Sequence, residues 1–301
     1  MAHHDLARER VGLGQQAQRI APQQNLALGA QITLFPDGVY SPTKTDDRPV
    51  ARIRIVADPS VNKDPLFSQI LRRRTNRSVY DLARPVPAAA WQAMAEAVRP
   101  HPLRFGYLGP EAPSGADALR RQRDIAREAW RIELVTPRTI LESYRWLRIG
   151  TGEIARYRDG ISITSRMLVA LDRLGLFDRT KAPGPDDVAV TSQLKDFDTK
   201  IASTPGFLWI VSDGNDRATQ VDAGRAYARV QLAATTHGVV MQPLQQALQE
   251  YTEQAKPYTE IHHLLGADRP AQTVQMWARV GYAEEVEPAP RRGLDAHLVR
   301  A

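Results

Sequence analysis

Apolar positions recur along this chain with two different periods, and the period decides the element. Residues 30–35, AQITLF, read as a strand, and Pro36-Asp37-Gly38 after them is a turn signal. Arg52-Ile53-Arg54-Ile55 alternates with period two, the pattern of a half-exposed strand. LRFGYL at 103–108 is a further strand. FLWIVS at 207–212 is apolar throughout, which predicts a central strand buried on both faces. Residues 274–280 set Val274, Met276, Ala278 and Val280 against Gln275, Trp277 and Arg279, again a strand.

The longer period marks helices. Residues 11–29 form a modest amphipathic helix interrupted at Pro22, with Gly29 as its stop. Asp64-Pro65 predicts a helix start, with Leu66, Phe67, Ile70 and Leu71 on its buried face. Pro85 and Pro87 precede a helix through Trp91, Met94 and Val98. Residues 117–149 are helical with a break at Pro137. Val221, Gly224, Ala228, Leu232 and Thr235 share one helical stripe that ends at Gly238. Between 150 and 200 the pattern weakens, and such a stretch within a compact domain is usually functional or mobile. Helices and strands mix without a strict strand–helix repeat, so the expected class is α+β.

Composition narrows the chemistry. With 301 residues, 43% of them hydrophobic and 25% charged, the chain is long and apolar enough to bury a sizeable core. It has no cysteine, which rules out disulfides, thiolate metal sites and a thiol nucleophile. Redox chemistry would therefore need a bound cofactor. No run reaches membrane-span length and the first residues lack a signal-peptide core, so no membrane partner is expected and the cytoplasm is the default. The formal charge of +6 is dominated by arginine. It fits a solvated basic surface or an anionic ligand. No groove-reading or base-stacking module accompanies it, so no specific nucleic acid is expected. Trp130, Trp146, Trp209 and Trp277 are expected in the core. Adjacent His262 and His263 would face apart on a helix and make a poor metal pair, so no metal is expected.

Three segments carry candidate chemistry. The first is Arg72-Arg73-Arg74-Thr75-Asn76-Arg77. Guanidinium groups bind phosphate bidentately and stay charged at any working pH. The plainer reading is a set of cations complementing a helix C-terminus. The second is Met241-Gln242-Pro243-Leu244-Gln245-Gln246, where rigid backbone and amide groups suit a flat heterocycle, or simply end a strand. The third is Pro288-Ala289-Pro290-Arg291-Arg292-Gly293, either a phosphate clamp or a basic tail. Phosphate-loop, dinucleotide-fingerprint, zinc-protease and nucleophile-elbow motifs are all missing.

Taken together, RRRTNRSVYD, AGRAYARVQLAATTHGVVMQPLQQ and VQMWARVGY followed by PRRGL resemble the nitroreductase-like superfamily. Within it they resemble the Acg-type branch, in which two nitroreductase-like halves are fused. The resemblance spans roughly residues 11–298 and rests on the order and spacing of the segments. It implies an α+β fold with a mixed or antiparallel central sheet flanked by helices, and FMN as cofactor. Arg73, Arg74, Thr75 and Arg77 would contact flavin, Gln242, Pro243 and Gln245 would line the ring, and Arg291 and Arg292 would approach the phosphate. NAD(P)H would be the reductant and a nitroaromatic, quinone or similar small molecule the acceptor. No protein group is required as acid or base. A flavin-storing protein without reductase turnover is the alternative. The branch's upstream Ser-x-Asn-Thr-Gln-Pro-Trp-like motif has no counterpart here. On that resemblance residues 1–57 are the remainder of a first half, and 58–301 a second half with a lid at 139–200. A homodimer that completes the site is also expected.

Overall fold

The computed structural model describes residues 28–298, apart from 42, 43, 45, 113, 114 and 268. The predicted helix at 11–29 lies almost wholly outside the described residues, whose first element is a strand beginning at Leu28. The chain divides into two compact units, one up to Phe67 and one from Ser68 onward.

In the first unit, β1 (Leu28–Leu34) pairs antiparallel with β2 (Ala51–Ala57), Ile32 opposite Ile53 and Gln31 opposite Arg54. The period-two pattern thus puts Ala30, Ile32, Ile53 and Ile55 on one face and Gln31, Thr33, Arg52 and Arg54 on the other. The backbone of Leu66 donates to Asp64 Oδ1 at 2.9 Å, so the predicted cap forms. The helix does not. A single 3-10 turn spans Phe67–Gln69, and Phe67, Ile70 and Leu71 are exposed rather than buried. The physical reason lies just downstream. The chain is drawn out to bridge a sheet edge at Thr75, and a helix through Leu71 would consume that length.

The second unit is built on a four-stranded antiparallel sheet, and its α+β class agrees with the sequence reading. Its strands are β3 (Leu103–Leu108), β6 (Gly206–Asp213), β7 (Val240–Pro243) and β8 (Gln272–Gly281), in the order β3-β6-β8-β7. Two short parallel strands, β4 (Leu147–Ile149) and β5 (Ile161–Ile163), stand apart. The helices are α1 (Ala88–Val98), α2 (Gly115–Val135), α3 (Pro137–Arg145), α4 (Gly150–Tyr157), α5 (Arg166–Arg173), α6 (Val188–Ala202), α7 (Arg217–Thr236) and α8 (Ala255–Leu264). Helices α1 and α7 pack together, and α2 packs on α6 and α8.

β6 is buried on both faces, as its unbroken apolar run predicts. β8, the strand expected over 274–280, is also buried on both faces. Trp277 and Arg279 are buried with their partners, and Gln275 is half-buried. Phe207, Val211, Val274 and Trp277 meet α2, α6 and α8 residues in one core, where Trp277 Nε1 donates to buried Gln122 Oε1 at 2.8 Å. Gly106 lies directly opposite Trp209, and its missing side chain leaves the room the indole fills. Pro137 breaks the long helix where expected and opens α3.

Two helix expectations need correction. The helix at 217–236 exists and stops at Gly238, whose φ of +65° suits glycine. However, its buried stripe is Ala223, Ala226, Val230, Ala233 and Ala234, while Gly224 and Ala228 are exposed. Alanines lie all around this helix, so hydrophobicity alone leaves its phase undetermined. Residues 150–200 are also more regular than their pattern implied. They contain α4, β5, α5 and most of α6, and α6 packs against α2 through Phe197 and Ile201. Among the described residues no helix is long and apolar enough to cross a membrane.

Candidate functional site at the β7 edge

The arginine-rich segment and the Gln242–Pro243 segment, far apart in sequence, meet at one sheet edge. Thr75 forms a parallel bridge with Met241, and Asn76 N–H donates to the Met241 carbonyl at 3.1 Å. Asn76 is the fastener. It is fully buried, its Nδ2 donates to the Glu284 carbonyl at 2.7 Å, and its Oδ1 accepts from Ser78 N–H at 2.9 Å. Gln231 of α7 donates to the Arg74 carbonyl at 3.3 Å, which also explains why this polar residue faces inward.

The arginines differ in what they do. Arg74 folds back, donating to the Leu71 and Arg73 carbonyls at 2.8 and 2.9 Å, so part of its charge closes the turn. Its Nε is buried with no partner. Arg73 is half-buried and Arg77 exposed, and among the described residues neither forms an ion pair. Beside Arg73 stands Tyr227, whose hydroxyl is buried without a hydrogen-bond partner. Burial pushes that phenol well above its ordinary range, Tyr80 adds to the shift, and Arg73 opposes it.

On β7, Gln242 stands directly across from Arg279 of β8. Gln245 follows a different course from the one its sequence suggested. Its Oε1 accepts from Trp277 N–H at 3.1 Å and its Nε2 donates to the Gln275 carbonyl at 3.2 Å. Past Pro243, which brings no N–H to the ladder, this side chain stands in for strand backbone. Its amide is spent on the sheet and is not free to line a ring. Pro243 itself is half-buried.

Arg291 and Arg292 lie exposed beyond β8. Arg291 donates to the Pro290 carbonyl at 3.0 Å, and Arg292 sits 3.9 Å from Asp159. Their contacts among the described residues do not join them to the Thr75–Met241 edge.

The residue that sequence reasoning missed is Arg279. It is wholly buried and donates three hydrogen bonds of 2.8 Å, to Gln242 Oε1, the Lys200 carbonyl and the Ser78 carbonyl. Its guanidinium lies 4.0 Å from the Tyr80 ring centre. Burial pulls its pKa below the usual arginine range, Tyr80 opposes this, and Arg77 adds to it. The same burial raises Tyr80 to about 12, with Arg279 and Arg77 working against the rise. The sequence shows Arg279 only as one position of an alternating strand, and no local pattern marks it as buried.

Among the described residues no group of three or more His, Asp or Glu could hold a metal ion. Two clefts lie elsewhere. One of about 440 Å³ is lined by Arg166, Val169 and Leu174, and one of about 470 Å³ by Glu133, Glu142, Trp146 and Gln249.

No family model matches the chain, and no curated protein does. Solved structures do resemble it. The FMN-dependent nitroreductase NfnB from Mycobacterium smegmatis, in complex with NADPH, is 16% identical with a TM-score of 0.48, over 78% of this chain and 98% of that one. The FMN and NADPH-dependent nitroreductase NfnB from Sphigopyxis sp. strain HMH is 19% identical at 0.48, with the same coverage. A nitroreductase with bound FMN from Bacteroides fragilis is 12% identical at 0.41, over 79% of this chain and 99% of that one. The functional reading of the β7 edge rests on its own residues.

Proposed function

We propose that this chain is an FMN-binding oxidoreductase of the nitroreductase type, passing hydride from NAD(P)H to a nitroaromatic, quinone or similar small acceptor. The observation that carries the reading is the Thr75–Met241 bridge, which sets the arginine segment beside Gln242 and Pro243. The polar groups left without partners fit a phosphate-bearing, planar ligand. Among the described residues Arg73 and Arg77 have no carboxylate, the Tyr227 hydroxyl and Arg74 Nε are unpaired, and the Gln242 amide nitrogen has no acceptor.

In this reading Arg73 and Arg77 hold the phosphate, with charge-assisted hydrogen bonds. Thr75, Gln242 and Pro243 border the ring. Arg74 contributes its turn and its free Nε. Arg291 and Arg292, held now against the Pro290 carbonyl and Asp159, would approach the phosphate as well. The flavin, when bound, supplies the hydride chemistry at N5. The chain supplies binding, orientation and shielding from water, with the stretch 139–200 as the proposed lid, whose helices α4 and α5 bury no residue.

The test is titration of the purified chain with FMN and with riboflavin, followed by NAD(P)H oxidation with a quinone. FMN should bind, and Arg73→Ala or Arg77→Ala should weaken FMN by more than tenfold while changing riboflavin little, because a charged hydrogen bond is worth about 1.5–3 kcal/mol. Equal losses for both ligands would show that the arginines do not read a phosphate. A chain that binds no FMN overturns the proposal. Binding without NAD(P)H oxidation selects the storage function over the reductase.

A further inference from the structure

Arg279 poses a question that packing alone does not answer. A buried guanidinium is costly, and such groups normally sit against a carboxylate. Among the described residues none pairs with it. The charge is met by dipoles instead. The Lys200 carbonyl belongs to the last turn of α6, the negative pole of that helix, and the Tyr80 ring offers its face. Those contacts, with the Ser78 carbonyl, tie three segments together.

The third hydrogen bond has a different consequence. A glutamine amide can present either end to a neighbour, but arginine has donors only, so only the oxygen of Gln242 can face it. The Gln242 nitrogen, with its two N–H donors, is thereby turned away from Arg279. Gln242 as a residue is half-buried, and it follows Met241, which Thr75 bridges. Without Arg279 the amide would be free to flip and offer either an acceptor or a donor.

We propose that Arg279 is a positioning residue that sets the hydrogen-bonding polarity of this site. By holding Gln242 as a donor, it makes the site select a planar heterocycle through an acceptor edge, a carbonyl oxygen or an unprotonated ring nitrogen. This rests on the flavin reading above and adds the sense in which the ring is recognised. Its chemical logic is that a site built to donate rejects a ligand edge that also donates, because a buried donor is left unpaired.

The experiment uses the full chain, with FMN as probe, and the variants Gln242→Glu, Gln242→Leu and Arg279→Lys. Gln242→Glu keeps an oxygen for Arg279 and gives the buried cation a counter-charge, but replaces the outward donor by an acceptor. It should melt no lower than the parent chain while binding FMN more than tenfold more weakly, with an altered visible band shape in whatever flavin remains bound. Gln242→Leu, which loses the donor without adding charge, should weaken FMN severalfold. Arg279→Lys keeps the positive charge but cannot reach all three acceptors, and its FMN affinity should fall toward that of Gln242→Leu. A Gln242→Glu variant that binds FMN as tightly as the parent, or loses FMN only in proportion to lost stability, overturns the inference and leaves the flavin reading intact. A parent chain that binds no FMN removes both.

Discussion

Strands β6 and β8 and the excursion 147–187 belong to the same unit but are held by different forces. In the strands, Phe207, Leu208, Ile210, Trp277, Ala278 and Val280 are fully buried, and stability comes from apolar area removed from water. In the excursion, neither α4 nor α5 buries a residue, and Met167, Leu174 and Leu176 are about 70% exposed. Its coherence comes from charge. Arg179 bridges Glu153, at 3.0 Å, and Asp172, at 2.9 Å, while Arg148 pairs with Asp159 at 2.8 Å and lies over the Tyr157 ring. Ile149 N–H donates to Glu153 Oε2, which joins the network to β4. Only Leu147, Phe177 and Ala182 tie it to the small cluster of Leu134, Ile140, Tyr144 and Val190. The contrast teaches that regular secondary structure is no measure of local stability. The excursion has helices, but little apolar burial opposes its opening.

The strongest way to break the contrast is to attack the strands. Trp277→Ala should cost about 3–5 kcal/mol, because it leaves a large cavity. It also strips buried Gln122 of its partner. Urea denaturation should show that loss across the whole transition. A loss below about 1 kcal/mol would mean that the sheet core is not where stability resides.

Attacking the network should do something smaller and more local. Arg179→Ala removes one cation from between two carboxylates, and exposed or part-exposed ion pairs are worth about 0–1 kcal/mol. The hydrogen bond from Arg179 is the main reason the Glu153 carboxyl titrates below its usual range. Hydrogen exchange in 147–180 should speed up in the variant, and in the parent at about 1 M salt, where the screening length is roughly 3 Å. Protection in β6 and β8 should not change. Equal loosening of both regions would erase the distinction.

The smallest effect is expected from pH. Buried His262 bonds the Tyr258 carbonyl through Nδ1 at 2.8 Å, and its Nε2 accepts from Val274 N–H at 3.1 Å. Only the neutral ring can do both. Burial is the main cause that lowers its pKa below the ordinary histidine value of about 6.5. Above that value neither the folded nor the unfolded chain protonates it, and its contribution is complete. As pH falls below about 6.5 the unfolded chain takes up a proton that the folded chain refuses, so stability declines. Denaturation midpoints between pH 8 and 5 should fall in the parent and flatten in His262→Gln. A parent midpoint that rises on acidification would show that the ring is stabilised in its charged form.

Much of this fold was legible because its signals are local. The apolar run at 207–212, the break at Pro137 and the stop at Gly238 each depend on a few neighbouring residues. The helix expected after Asp64 failed because a distant strand edge claims the chain at Thr75. The exposed Trp146, expected in the core, failed because the excursion has too little apolar partner surface to cover it. The two segments of the candidate site could be picked out by residue type, and the structure brings them together. Arg279 could not be found this way. Its role depends on Lys200, Ser78 and Tyr80, which only the tertiary fold places around it.

The distribution of tryptophans has an optical consequence. Trp277 is sealed in the sheet core with its indole hydrogen-bonded to Gln122, whereas Trp146 stands about half-exposed at the start of the excursion, with the Arg148 guanidinium near its ring. The first reports an apolar environment and emits toward the blue. The second is wetted and emits toward the red, where a dissolved anion such as iodide can reach it and is drawn in by the neighbouring arginine. Of the five tryptophans Trp146 is the most exposed, so the part of the emission that iodide quenches reports chiefly on the excursion in the unmodified chain, and its movement can be followed without attaching a label.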